Sequence, residues 1–438
     1  HQAEHRGQRV GWYLAGWACL VLACFSKVSA LVFPGVLLLL KWTLWRVEPP
    51  AEALRESPFR RLLRPIIEVI PHLLVAVLFY RWYRGVITDY GVLTSATAFE
   101  GRELLQVLFL VDPLVWLRYV AMVLTPGELS AQYLWDGMAA AEQWPQRILA
   151  VAVILAVVAL AIALVRKRPR AGFLFLSFSV LLLPYSNVIF LGWWNANRYV
   201  YGAAPFLVAT ILLFAWPYAR SRAGQAVAAA VAVIAAWNLI AQQQFLPAWR
   251  DGESLWRHEV ELSQATLRTH NNLISSYVSM ALRAPPEERG PLVERGKAAA
   301  RRALERYRDT DDAEMDPGPT GLVLTYYALG LLQSLAGDDT DQQLETFRQA
   351  YDINPAHAGV NDALGALYLQ MALDEGTGEE RTELARQALF HFGRALSQDV
   401  SDAARERRVA LRQRLERSFP GLRQQELIDH LGPTGDND

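Results

Sequence analysis

Through residue 246 the polar positions gather into clusters that separate long apolar runs, whereas from 247 onward apolar and polar positions alternate with a period near 3.6. The first pattern belongs to helices that are apolar all round, the second to helices with one buried face. Seven runs qualify as membrane spans: Val10–Phe25, Ala30–Trp45, Ile66–Trp82, Ile148–Val165, Phe173–Leu191, Ala203–Tyr218 and Ala226–Ala241. The first two are short for a hydrocarbon core of about 30 Å and are expected to tilt little or to end within the interface. The pattern predicts an all-α protein, with a polytopic transmembrane helix bundle over 1–246 and a soluble helical domain over 247–438.

The segment 85–144 departs from this plan. Its apolar stretch Leu104–Leu124 is interrupted by Asp112-Pro113 and by Arg118, so we expect a re-entrant or interface-lying pair of helices on the outward side. A full crossing there would reverse every later loop. Without it, the basic clusters Arg46/Arg55/Arg60/Arg61/Arg64, Arg166/Lys167/Arg168/Arg170 and Arg220/Arg222 share one side with Arg6 and Arg9. By the positive-inside bias that side is cytoplasmic. Lys27, the 85–144 segment, the loop around Arg198 and the C-terminal domain then face outward, which for a bacterial inner membrane is the periplasm.

Beyond Phe245-Leu246-Pro247-Ala248-Trp249-Arg250-Asp251 the chain is self-similar. Ala328-Leu329-Gly330 with Phe347, Ala350 and Pro355 returns as Ala363-Leu364-Gly365 and Tyr368 with Ala388, Phe392 and Ala395, with an insertion around Asp374–Glu380. Asn272-Leu273, Tyr277, Ala300 and Leu304 form a looser copy. Small residues let paired helices approach while the aromatic fills the gap, at a period near 34 residues, so the stretch resembles tetratricopeptide repeats. A stack of this kind is an α-solenoid with a concave face for a polypeptide or protein partner. Asn272, Tyr326, Tyr327 and Asn361 are its expected lining.

Composition narrows the chemistry. The 438 residues are 52% apolar with a formal net charge of −1, which argues against a nucleic-acid binder. All 14 tryptophans lie at or before Trp256, as expected if the membrane part ends there. The two cysteines, Cys19 and Cys24, face different sides of one apolar helix, and no His/Cys cluster has metal-ligand spacing, so no redox or metal chemistry is predicted. Glu68 and His72 lie one turn apart near the start of the third span, either paired inside the bundle or at its interface. The chain begins with His1 and has no charged leader, so it is expected to be a piece of a longer protein.

Where the fifth and sixth spans meet, the chain surfaces as Gly192-Trp193-Trp194-Asn195-Ala196-Asn197-Arg198-Tyr199-Val200-Tyr201. A guanidinium between two tyrosines suits a two-pronged grip on a phosphate at headgroup level. It equally suits an interfacial anchor, with Arg198 snorkelling among belt aromatics.

Several stretches in order resemble the membrane glycosyltransferases of the GT-C superfamily, in the transmembrane and tetratricopeptide repeat-containing group that includes protein O-mannosyltransferases. They are Phe25-Ser26-Lys27; Leu117-Arg118-Tyr119 to Leu124-Thr125-Pro126 and Leu129-Ser130-Ala131-Gln132-Tyr133; Leu183-Pro184-Tyr185-Ser186-Asn187; Asn197-Arg198-Tyr199-Val200-Tyr201; and Trp249-Arg250-Asp251 with Leu255-Trp256. Val28 stands where the group carries an acidic residue. The resemblance implies transfer of a sugar from a polyprenyl-phosphate donor to a protein or glycan acceptor on the outer face of the membrane, with no cofactor held by this chain. It also implies that the catalytic carboxylates lie upstream of residue 1. In this chain it implies donor contacts at Arg198, Lys27 and Arg118, with Tyr199, Asn197 and Tyr133 orienting phosphate or sugar. The alternatives are a non-catalytic membrane-anchored repeat scaffold and an O-antigen ligase or polymerase-like enzyme.

Overall fold

The computed structural model describes residues 2–47, 57–89, 97–98, 101–125, 129–131, 133, 135, 137–187, 189–190, 194–218, 220–262, 265–308, 319–375, 378–397, 402–420, 422 and 429–431. Gly192, Trp193, Pro126 and Gln132 of the motifs above, and Arg55 of the basic clusters, lie outside these residues. The chain divides into two compact units, His1–Leu246 and Pro247–Asp438. Among the described residues both are helical apart from one antiparallel pair of two-residue strands, Thr97–Ala98 and Ile189–Phe190.

The first unit contains α1 (Gln2–Ser26), α2 (Phe33–Val47), α3 (Pro58–Asp89), α4 (Gly101–Gln106), α5 (Asp112–Leu124), α6 (Gly137–Glu142), α7 (Trp144–Lys167), α8 (Pro169–Leu182), α9 (Asn197–Val200), α10 (Ala204–Ala215) and α11 (Arg222–Phe245). Among the described residues four helices are long and apolar enough to cross a membrane: Leu63–Val86, Gly101–Leu124, Trp144–Lys167 and Arg222–Trp249. The apolar helices Gly11–Ser26, Val28–Leu44, Pro169–Tyr185 and Ala204–Tyr218 are shorter, rising about 22 to 26 Å at 1.5 Å per residue. The outer faces of the long helices carry bare aliphatic side chains, among them Leu78, Leu155 and Val233, each about two-thirds exposed.

The stretch 104–124 is not the broken pair of helices anticipated. Gly101–Leu124 is one continuous helical run, because a π-helical turn at Val107–Val111 joins α4 to α5. Proline lacks the N–H that an α-helix would use at that point. The wider turn takes up that gap without a break in the rod, as π-bulges do. Pro113 therefore sits in the first turn of α5, where a missing donor costs nothing.

Glu68 proves to be paired, with its side chain 27% exposed. Its carboxylate takes an ion pair from Lys41 of α2 and another from Arg64 at 3.3 Å. His72, 6% exposed, packs edge-on against Trp17 and beside Tyr13.

The second unit contains α12 (Gly252–Glu261), α13 (Leu267–Arg283), α14 (Pro286–Tyr307), α15 (Pro319–Ala336), α16 (Thr340–Ile353), α17 (Ala358–Asp374), α18 (Glu379–Ser397) and α19 (Asp402–Ser418). Helices 13 to 18 pack as three successive pairs over two cores that share Leu304 and Leu331. Starts are specified locally: Asp251 caps α12 through the Ser254 amide, and Thr266 with Thr269 forms a capping box on α13. The small-to-aromatic spacing has a direct structural counterpart. A Cβ on Gly330 would fall 2.5 Å from the Phe347 ring, and one on Gly365 would fall 2.8 Å from the Phe392 ring. In both pairs, therefore, the glycine lets the second helix lay an aromatic against the first helix's backbone.

Polar locks tie these pairs together. Asn271 donates to the Gly321 carbonyl and accepts from Thr325, and Lys297, 6% exposed, reaches Asp338 at 2.8 Å and Glu294. His391 Nδ1 lies 2.9 Å from Asn361 Oδ1. Burial, with Arg394 and Arg348 nearby, pushes the pKa of His391 down to about 4, so the ring is neutral at physiological pH.

Candidate functional site

The site forms where α8 ends and α10 begins. Apolar α8 passes into a single 3₁₀ turn, Leu183–Tyr185, and Pro184 prevents continuation of the regular ladder. The chain then crosses to the four-residue α9 before entering α10. Two sets of hydrogen bonds hold this crook. Asp112 Oδ1 accepts from the backbone and side-chain amides of Asn187 at 3.0 and 3.3 Å, and Asn187 Nδ2 also donates to the Trp194 carbonyl at 3.2 Å. Three residues on, Asn197 is buried, accepting from the Tyr133 hydroxyl at 2.9 Å and donating to the Ser130 carbonyl at 3.3 Å.

On the exposed side, Tyr185 and Tyr199 stack with ring centroids 4.2 Å apart and planes 14° from parallel. Lys27 Nζ sits 5.7 Å over the Tyr185 ring, and the Arg198 guanidinium 5.0 Å over the Tyr199 ring. Cation, ring, ring and cation therefore succeed one another, with both cations exposed. Arg198 is steered further by the Ala131 carbonyl and the Tyr199 hydroxyl, each at 3.4 Å. Cation–π contacts at exposed positions are worth about 0.5–1 kcal/mol. They are enough to bias the two heads toward the ring pair without committing their charge to a carboxylate.

The structure thus brings together Lys27, Tyr133, Asn197, Arg198 and Tyr199, five residues spread over most of the first unit's sequence. Arg118 stands apart from the exposed pair. It is half-buried over Trp135 at 4.9 Å, and Trp135 meets Trp194 edge-on at 6.3 Å. It reaches the crook indirectly, through Trp135 and Trp194. Sequence reasoning passed over Tyr185 and the Asp112–Asn187 clasp. Tyr185 does lie in the quoted Leu183–Asn187 stretch, and the proline before it, ending a helix at an interface, is the signal that marks it.

α5 packs both on the crook and, through Trp116, on Phe175 midway along α8. Asp112 meets Asn187, Trp116 donates to Ser179, Tyr119 faces Ala196, and the Val123 carbonyl accepts from Asn238 near the C-terminal end of α11. The core around Val111, Val115 and Tyr119 takes residues from the last turns of α8 and the first turns of α10.

In the second unit the expected lining residues separate. Tyr327 is half-buried against His357 and Phe347, and Asn272 is half-buried on α13. Tyr326 and Asn361 are corrected: they belong to the core. Tyr326 is 8% exposed. Asn361 is fully buried, its amide donating to the Pro355 and His357 carbonyls while its oxygen faces His391. An asparagine so bonded has nothing left to offer a partner. A groove of about 590 Å³ lies between α17 and α19, floored by Leu369, Leu373 and Phe392 and edged by Arg407 and Arg414. Arg407 also pairs with Asp362 of α17.

Among the described residues no group of three His, Cys, Asp or Glu side chains is placed to hold a metal ion. No family model, no curated protein and no solved structure matches this chain.

Proposed function

We propose that this protein is an integral membrane glycosyltransferase component that grips the phosphate of a polyprenyl-phosphate-linked sugar at the outer face of the membrane. The observation that carries the reading is the paired arrangement of Lys27 and Arg198 on either side of the Tyr185–Tyr199 stack, at one end of the apolar helices Gly11–Ser26, Pro169–Tyr185 and Ala204–Tyr218. A phosphate on a lipid tail needs such a place: cations at headgroup depth and apolar helix faces for the chain below them. In this reading α5 does not carry the chain across the membrane, which keeps the basic clusters on the cytoplasmic side. The tetratricopeptide-like second unit serves in this reading to hold a polypeptide or glycan acceptor, with its α17–α19 groove the available opening.

A membrane-anchored repeat scaffold is the second reading, favoured by the engagement of Asp112 with Asn187. The two part company on ligand binding. With the chain in nanodiscs, a short-chain polyprenyl phosphate is expected to bind at least tenfold tighter than the matching polyprenol. The preference should shrink between 50 and 500 mM salt, since a charge at an exposed cation is screened. Equal binding of phosphate and alcohol would leave the scaffold reading standing.

A further inference from the structure

Behind the exposed cations the crook carries hydrogen-bonding groups that no described residue uses. Asn195 is 0% exposed, and among the described residues neither its amide nitrogen nor its amide oxygen has a partner. The Tyr119 hydroxyl, on a side chain 1% exposed, is likewise without a completed hydrogen bond; the Ala196 amide faces it, but not at bonding geometry. Each such group costs about 1–3 kcal/mol when buried unpaired, so three of them, on Asn195 and on a tyrosine that approaches the residue after it, call for a cause.

The backbone on either side shows that this is no loose loop. Trp194 is clasped through its carbonyl by Asn187, itself held by Asp112, and Asn197 is tied to Tyr133 and Ser130. Asn195 hangs between two fixed points and cannot swing its amide out to water. Groups fixed in advance, dry and unpaired are what a binding pocket for a polar ligand requires. Their chemistry also says which ligand. An anion would be met by donors alone and a cation by acceptors alone. Asn195 and Tyr119 offer both kinds and no charge, which suits a neutral group bearing several hydroxyls or an amide.

We infer that Asn195 and Tyr119 form the subsite for the hydroxyl-bearing head of the lipid-linked donor, its sugar, beside the phosphate held by Arg198. The inference rests on the proposed lipid-phosphate reading and adds the residues that recognise the neutral part. A site built to hydrogen-bond a hydroxyl discriminates strongly against a ligand without one.

The test uses the full chain in nanodiscs with three probes: polyprenyl-phosphomannose, polyprenyl-phosphoglucose and bare polyprenyl phosphate. The wild type should bind at least one glycosylated lipid about tenfold or more tighter than the bare phosphate. Asn195→Leu should abolish that difference and Tyr119→Phe should reduce it, while both leave affinity for bare polyprenyl phosphate within about twofold. Because Asn195→Leu removes an unpaired buried amide with little change of shape, it should keep or raise the thermal midpoint. Tyr119→Phe provides an independent second variant. If glycosylated and bare lipids bind wild type equally, or if both variants keep the difference, the subsite is refuted while the phosphate grip survives. If even bare polyprenyl phosphate fails to bind, both fall.

Discussion

Gly365→Val should largely unfold the α17–α18 pair. Its first side-chain atom would lie 2.8 Å from a Phe392 ring that is itself 4% exposed and packed on the core of the second unit. Neither helix can retreat, because Asn361, His391 and the Pro355 carbonyl bind them at the same end. Overpacking of a closed core costs about 1–3 kcal/mol for an added methylene or so, and a branched side chain against a ring exceeds that. We expect a loss of at least about 3 kcal/mol, measured by hydrogen exchange of the α17 and α18 amides in the full chain. Shrinking the ring with Phe392→Leu should recover part of it, as coupling between touching positions requires. Gly330→Val should behave alike in the preceding pair, where Phe347 occupies the equivalent place. A cost below about 1 kcal/mol at both glycines would show that the recurring small-to-aromatic spacing is coincidental.

That spacing was legible in the sequence because it is local: both partners belong to neighbouring helices and the period repeats. The long apolar runs were legible for the same reason. What escaped was of two kinds. A turn type overrode a breaker signal at Asp112-Pro113, since a π-turn supplies slack that no residue pattern announces. Side-chain fate at helix surfaces also hung on one position. Asn271 is buried and bonded across to α15, whereas Asn272 beside it is half-buried. Asn361 looked like groove lining because asparagine near a helix start is usually solvated, yet its amide closes the first turn of α17 and meets His391. At the crook, individual residues stood out by type, but the stack did not. Lys27, Tyr185 and Tyr199 come from three separate elements, and only packing of α1, α8 and α9 sets their order.

Arg198→Ala should weaken polyprenyl phosphate binding by about 10- to 100-fold, the range for losing charge-assisted hydrogen bonds. Sugar transfer on membranes from cells expressing the protein should fall at least as far. The guanidinium is exposed and is oriented by the Ala131 carbonyl and Tyr199 rather than by a carboxylate. Its charge remains free for a ligand, and its removal leaves no buried acid behind to destabilise the fold. Arg198→Lys should recover the charge but not the fork, giving intermediate affinity. Lys27→Ala, on the far side of the ring pair, should cost less. Its single ammonium makes a point contact where the guanidinium makes two. Full binding and transfer by Arg198→Ala would reduce this residue to an interfacial anchor.

Every part of the account requires the crook to face outward. The decisive measurement is thiol labelling of single-cysteine proteins in intact cells, with Cys19 and Cys24 replaced by alanine. Tyr201, 63% exposed beside α9, and Arg220, exposed between α10 and α11, lie at opposite ends of α10. The account predicts that Tyr201→Cys reacts with a membrane-impermeant maleimide in intact cells and that Arg220→Cys reacts only after permeabilisation. The reverse pattern would put Arg198 on the cytoplasmic side and contradict transfer at the outer face.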